Sequence, residues 1–272
     1  MSSSISEIFY VDLINKLQTQ TTMENFSEFE TSTVSPPKET GAIISHAFEN
    51  YKTIILYSVL TLIGAAIVSS ILSSLLEVLV GFDSLEANEM MADSIRNRDY
   101  SSILDIPGFQ LTMGLSFIIG ILLYPLYAGI LNVMNKANYK QKINFSDLFI
   151  GYRQNTVNLI LYMVIANIAL SILLVMCVLP AIFIAPFFFL GMPIVLFENK
   201  SVGDALSKSF DLGRENYGTL LGASFLGILI SFCGVFLCGI GIIITAFFYL
   251  AVMYSAYCAF CGAPRQLEQT NY

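Results

Sequence analysis

The sequence predicts an all-α membrane protein of six transmembrane helices, arranged as three hairpins, each preceded by a cytoplasmic interfacial amphipathic helix. Three observations lead there. Of the 272 residues, 56% are hydrophobic and only 12% charged, where soluble domains carry roughly 25% charged residues, and mean hydropathy is +0.71. The apolar runs are long: a hydrocarbon core of about 30 Å needs about 20 apolar residues in a helix, and several stretches reach or exceed that. Lysine and arginine are also confined almost wholly to one side of those runs.

Residues 1–40 form a polar tail rich in Ser, Thr and Glu that ends at Pro36-Pro37, a composition that cannot bury enough apolar surface to fold alone. Ile5, Ile8, Phe9, Leu13 and Leu17 make at most a short amphipathic turn, and Met23 is an alternative start. No cleavable leader is expected, so the first apolar run serves as an uncleaved anchor.

The membrane domain is expected over 41–262. Ile54–Val80 and Leu111–Met134 are single spans. Thr156–Phe197 is too long for one helix and is divided by Pro180; Tyr217–Cys261 is likewise divided at Cys238-Gly239-Ile240-Gly241. Residues 263–272 close the chain as a short tail. Lys38, Lys52, Lys136, Lys140, Lys142, Arg153, Lys200, Lys208, Arg214 and Arg265 fall on one side of the six spans, and only Arg96 and Arg98 on the other. The positive-inside rule then sets both termini in the cytoplasm. The sizeable outer segment, 81–110, holds six acidic residues against those two arginines and is expected as a solvated acidic loop.

A threefold internal repeat runs through the domain. Ile44, Ala47, Phe48 and Tyr51 recur as Phe145, Leu148, Phe149 and Tyr152, and again as Val202, Ala205, Leu206 and Ser209 with Phe210 adding bulk. The i, i+3, i+4, i+7 spacing makes one apolar helical face. Ser201 and Asp204 resemble a capping box, and Asp204 with Lys208 is an i,i+4 pair. Ala185-Pro186-Phe187-Phe188-Phe189 also matches Thr245-Ala246-Phe247-Phe248-Tyr249, with Tyr124-Pro125-Leu126-Tyr127 a looser copy. Parallel repeats are one way membrane folds are built. Small residues spaced by four (Ala65, Ser69, Ser73; Gly218, Gly222; Ala223, Gly227, Ser231; Ala251, Ser255, Ala259) let helices approach closely in lipid. They are packing faces first, and faces for a protein partner or a homo-oligomer second.

Leu179-Pro180-Ala181-Ile182, followed by Phe189, Pro193, Glu198 and Ala205 to Ser209, resembles a bacterial pattern. It is similar to the membrane domain attached to some glycerophosphodiester phosphodiesterases and to its stand-alone relatives of unknown function. The resemblance covers about 41–262 and is clearest in the last two hairpins; Ala181 stands where a glycine is typical. It implies the membrane fold, in a bacterial inner membrane, and not the phosphodiesterase activity, whose soluble domain these residues do not supply. Some stand-alone relatives are labelled carotene monooxygenases. Such enzymes hold iron with four histidines, and His46 is the single histidine here.

Chemistry-bearing residues are few. One histidine builds no multi-histidine metal site, and Cys177, Cys233, Cys238, Cys258 and Cys261 lie in or beside apolar runs, where cysteine behaves as a small hydrophobe. Cys258-Ala-Phe-Cys261 has redox or metal spacing but no second ligand pair, and His46 is expected at the polar surface. No cofactor, metal or nucleic-acid partner is implied; the lipid bilayer is. Ionisable residues within spans would mark a coupled transport path, and only Glu77, near the outer end of the first helix, qualifies. Asn167 is the one mid-span amide. Pro180, Pro186, Gly191 and Pro193 break the fourth helix, and broken spans can line binding sites. The leading expectation is a non-enzymatic scaffold or accessory subunit in a membrane or lipid process. The alternative is a transporter or lipid-handling protein with a path lined by Asn167, Pro186, Pro193 and Glu77, and an intramembrane enzyme comes third.

Overall fold

The computed structural model describes residues 35–176, 178–236, 240–265 and 267. Most of the expected 1–40 tail, including Met23 and the short amphipathic turn, lies outside the described residues, as do Cys177, Cys238 and most of 263–272. Every regular element among the described residues is helical. The α-helices are α1 Thr40–Val80, α2 Ser84–Arg96, α3 Phe109–Asn138, α4 Thr156–Met176, α5 Val178–Phe188, α6 Gly191–Phe197, α7 Val202–Glu215, α8 Tyr217–Cys233, α9 Ile240–Thr245 and α10 Phe248–Cys261. Short 3-10 turns occupy Tyr100–Asp105, Phe145–Tyr152 and Gly234–Phe236.

Among the described residues, six helical stretches are long and apolar enough to cross a membrane: Thr40–Val80, Phe109–Asn138, Thr156–Val175, Leu179–Phe197, Tyr217–Phe236 and Gly241–Cys261. At about 1.5 Å per residue the 41 residues of α1 reach some 60 Å, about twice a hydrocarbon core, because the first amphipathic segment is continuous with the first span. The second segment, Phe145–Tyr152, is a 3-10 turn and not the expected α-helix; the third is the separate helix α7. The fourth span breaks at Phe189–Leu190 and the sixth at Ala246–Phe247. Pro180 does not form the third-to-fourth turn. It sits in the first turn of α5, where a missing N–H costs least.

Burial is divided along the spans. In α1 the buried residues run from Ile43 to Thr61, in α3 from Pro125 to Asn135 and in α8 from Leu220 to Gly227. In α10 they run from Phe248 to Cys258. Odd-numbered spans are thus buried where they begin and even-numbered ones where they end, which puts the core at the end of the molecule that carries most of the lysines. Toward the opposite end Ile67, Ile71, Leu75, Val78, Phe117 and Ile172 are all exposed. In water such a surface is an aggregation liability; in lipid it needs no protein cover.

The acidic 81–110 segment is not an open loop. Gly81 ends α1 in the left-handed conformation, φ 69°, its N–H bonded to the Glu77 carbonyl. Asp83 then caps α2, its carboxylate accepting from the Leu85 and Glu86 N–H groups at 2.9 and 3.2 Å. Local hydrogen bonds to the short acidic side chain start a helix that net charge alone does not reveal.

Candidate functional site

The most ordered polar chemistry lies where the three amphipathic segments meet the spans. Pro125 in α3 and Pro186 in α5 each remove an N–H and open the turn before them, while the sixth span is interrupted outright at Ala246–Phe247. Each interruption frees carbonyls in an apolar setting, where an unpaired one is costly. A tyrosine hydroxyl donates into the turn before each interruption. Tyr152 donates to the Leu122 carbonyl at 2.6 Å, Tyr217 to Phe183 at 2.9 Å and Tyr51 to Ile244 at 2.7 Å. The acceptors fall at equal steps along the chain, from 122 to 183 and from 183 to 244, three residues ahead of Pro125, Pro186 and Phe247.

This sets the register of the repeat. Pro186 corresponds to Phe247, one residue beyond the Ala246 that the aromatic runs alone suggest. In the third copy the hydroxyl comes from Tyr217 and not from Ser209. Phe48 precedes Tyr51, and Phe149 precedes Tyr152, by three residues, but Phe210 precedes Tyr217 by seven, so α7 carries one extra helical turn. Ser209 instead donates to the Phe187 carbonyl at 2.7 Å. Tyr162, from α4, donates to Phe188 at 2.5 Å and closes the same break from the other side.

The rings repeat the pattern. Phe48 and Tyr51 pack on Phe248 with centroids 4.5 and 5.6 Å away, and Phe210 and Tyr217 pack on Phe187 at 4.7 and 5.7 Å. In the middle copy Leu126 stands at the corresponding place, and the backbones close up instead. Gly151 lies against the Pro125 carbonyl and Gly129 against that of Leu148, leaving no room for a Cβ at either.

Two residues before Phe48, Phe149 and Phe210 stand His46, Asp147 and Lys208, each tied to the span it packs on. His46 Nδ1 and Ser255 Oγ are 2.9 Å apart. Lys136 donates to Asp147 at 2.7 Å, and Asn132 to the Asp147 carbonyl at 3.2 Å. Lys208 donates to both Glu198 oxygens at 2.6 and 2.7 Å. Burial pushes the Glu198 carboxyl up, but the Lys208 hydrogen bonds and charge, helped by Tyr257 and Lys200, outweigh it and hold the group below the ordinary range. Each segment therefore locks onto the second span of the preceding hairpin, and the first locks onto the last. The result is a closed ring.

Two expectations are overturned by these contacts. His46 is buried, not at the polar surface, because Ser255 and Asn50 satisfy it within the core. Lys208 pairs with Glu198 and not with Asp204, whose carboxylate accepts from the Ser201 hydroxyl at 2.7 Å. The helix start at Ser201 is as expected, its oxygen accepting from the Asp204 N–H at 3.3 Å.

The residues proposed to line a path are placed as follows. Asn167 is exposed and spends its amide on the Met163 carbonyl of its own helix at 2.7 Å. Pro186 and Pro193 are buried in the fourth span. Glu77 is partly buried at the far end of α1. No hydrogen bond among the described residues joins any two of the four. Cys258 is buried and Cys261 partly so, with no group of three His, Cys, Asp or Glu side chains gathered near them among the described residues.

Some of the small residues serve close approach inside the ring, whereas a Cβ on Gly218 would meet nothing within 4 Å. Gly222 of α8 faces Thr40, Gly227 packs on Tyr249 and Val252, and Ala251 and Ser255 are fully buried. The stripe Ala65, Ser69 and Ser73 is half-buried along α1. Tyrosine placement is what sequence reasoning missed, and its signal is the equal spacing of Pro125, Pro186 and Phe247. Comparison with protein-family models, with curated proteins and with solved structures finds no match; the described residues are all-α, with six candidate membrane spans.

Proposed function

We propose that the chain is a non-enzymatic multi-pass protein of a bacterial cytoplasmic membrane, serving as a scaffold or accessory subunit in a membrane or lipid process. Both termini lie in the cytoplasm, and the three-hairpin domain is kin to the membrane domain that accompanies some glycerophosphodiester phosphodiesterases. One observation carries this reading: the polar side chains buried where the amphipathic segments meet the spans are used on one another. Tyrosine hydroxyls take carbonyls beside the breaks, Asp147 takes Lys136 and Glu198 takes Lys208. What the spans turn outward is apolar helix surface, suited to lipid and to other membrane helices. The transport alternative rests on the fourth span, where Tyr162, Ser209 and Tyr217 occupy the carbonyls that a ligand would use. That arrangement favours the platform.

The test is gentle extraction of the full chain from native membranes, with mass spectrometry of what remains bound. A stoichiometric membrane-protein partner supports the scaffold reading. A defined small molecule retained without any partner, and released by Pro186→Ala, would replace it with the transport reading.

A further inference from the structure

The three segments that lock the ring differ in charge. Between Asp105 and Glu198 the sequence holds a single acidic residue, Asp147, and it is fully buried against Lys136. Lys140, Lys142 and Arg153 are exposed, and none of the ion pairs among the described residues includes them. The other two segments are balanced. Glu39 and Glu49 offset Lys38 and Lys52; Glu198, Asp204, Asp211 and Glu215 offset Lys200, Lys208 and Arg214.

Between the middle cations lies a row of rings turned outward. Phe145, Phe149 and Tyr152 are 59%, 37% and 40% exposed and pack on one another, with centroids 5.6 and 6.2 Å apart. Beneath them Leu148, Ile150 and Gly151 are buried, so the segment cannot roll its rings inward without losing its own core. The Tyr152 hydroxyl pins the row to α3, and Arg153 stands three residues ahead of Thr156, where the third span begins. Aromatic rings flanked by unbalanced cations at the edge of a span match a bilayer surface of phosphate headgroups over acyl chains.

We propose that Phe145–Arg153, with Lys140 and Lys142, is a docking surface for acidic phospholipids. The rings lodge at the headgroup–acyl boundary, and Lys140, Lys142 and Arg153 take lipid phosphates. This rests on the membrane reading above and adds a lipid class and a place.

The experiment uses the full chain, delipidated in detergent and titrated with phosphatidylglycerol or phosphatidylcholine while bound lipids are counted by native mass spectrometry. Wild type is expected to prefer phosphatidylglycerol. Lys140→Gln/Lys142→Gln/Arg153→Gln is expected to lose about tenfold of that preference, since each interfacial cation contributes to anionic-lipid affinity. Lys52→Gln/Arg214→Gln, which removes two cations from the balanced segments, should keep it. Single Lys140→Gln and Arg153→Gln variants carry the test if the triple variant does not fold, and should be intermediate. The proposal is overturned if the triple variant or both singles keep the full preference, if wild type shows none, or if the surface instead retains an acidic protein without lipid preference. Failure of the chain to partition with membranes at all would overturn the underlying membrane reading, which is a separate outcome.

Discussion

Tyr152 donates its hydroxyl to the Leu122 carbonyl at 2.6 Å, one turn ahead of Pro125 in α3. The same bond recurs from Tyr217 to Phe183 and from Tyr51 to Ile244. A weakened point in each even-numbered span is thus the place where the next amphipathic segment fastens, and for the sixth span the next segment is the first.

These three hydroxyls are equivalent parts in separate hairpins, so their removal is testable as a series. Tyr51→Phe, Tyr152→Phe and Tyr217→Phe each delete one donor and leave the ring. Each is expected to lower stability by about 0.5–1.5 kcal/mol, measured by thermal melts of helicity in detergent. The double variants should be additive, since the sites share no partner.

Asp147 is fully buried, with Lys136 as its ion-pair partner. Asp147→Asn leaves the ammonium facing a neutral amide, and breaking a buried pair from one side costs about 3–5 kcal/mol. The expected outcome is a much lower yield of folded protein, judged by size-exclusion chromatography. Asp204→Asn, at an exposed carboxylate, should leave that yield unchanged.

Glu198 gives a pH dependence of known sign. Its carboxyl is held below the ordinary range when folded, so its contribution is fully present above the unfolded value of about 4.3 and is lost as pH falls through the folded value. Thermal stability should therefore decline as pH falls below about 4.3. Glu198→Gln should flatten that part of the profile.

Backbone contact at the middle segment predicts a sharp contrast between glycines. Gly129→Ala and Gly151→Ala drive a Cβ into the carbonyls of Leu148 and Pro125, which belong to the backbone and cannot swing away. Gly64→Ala and Gly114→Ala meet nothing within 4 Å. The first two are expected to abolish monodisperse protein, and the second two to be neutral or slightly stabilising through helix propensity.

How far the sequence carries depends on the range of the interaction. Span number and order follow from hydropathy, and the cap at Ser201 from residues three apart, because those effects are local. His46 and Ser255 meet from opposite ends of the domain, so nothing near position 46 announces that the ring is buried. Lys208 has a tempting partner at Asp204 and takes Glu198, because Ser201 already occupies Asp204 and the chain folds back at Asn199 and Lys200 to bring Glu198 over α7. The 81–110 segment looks like a charged loop until Asp83 is recognised as a cap. In the third copy an inserted helical turn moves the tyrosine from the expected position to 217, which a fixed spacing cannot anticipate.

Closure of the ring is the central claim, and Thr40 and Gly222 test it most directly. A Cβ placed on Gly222 would lie 3.5 Å from the Thr40 Cβ, within the usual range for a disulfide. Thr40→Cys/Gly222→Cys is made in a chain otherwise free of cysteine, with a protease site inserted in the 81–110 segment, and oxidised in the membrane. The expected result is a rapid cross-link that holds the two fragments together on a non-reducing gel until reductant is added. Fragments that separate without reductant, from protein that is folded and membrane-embedded, would contradict the closed ring.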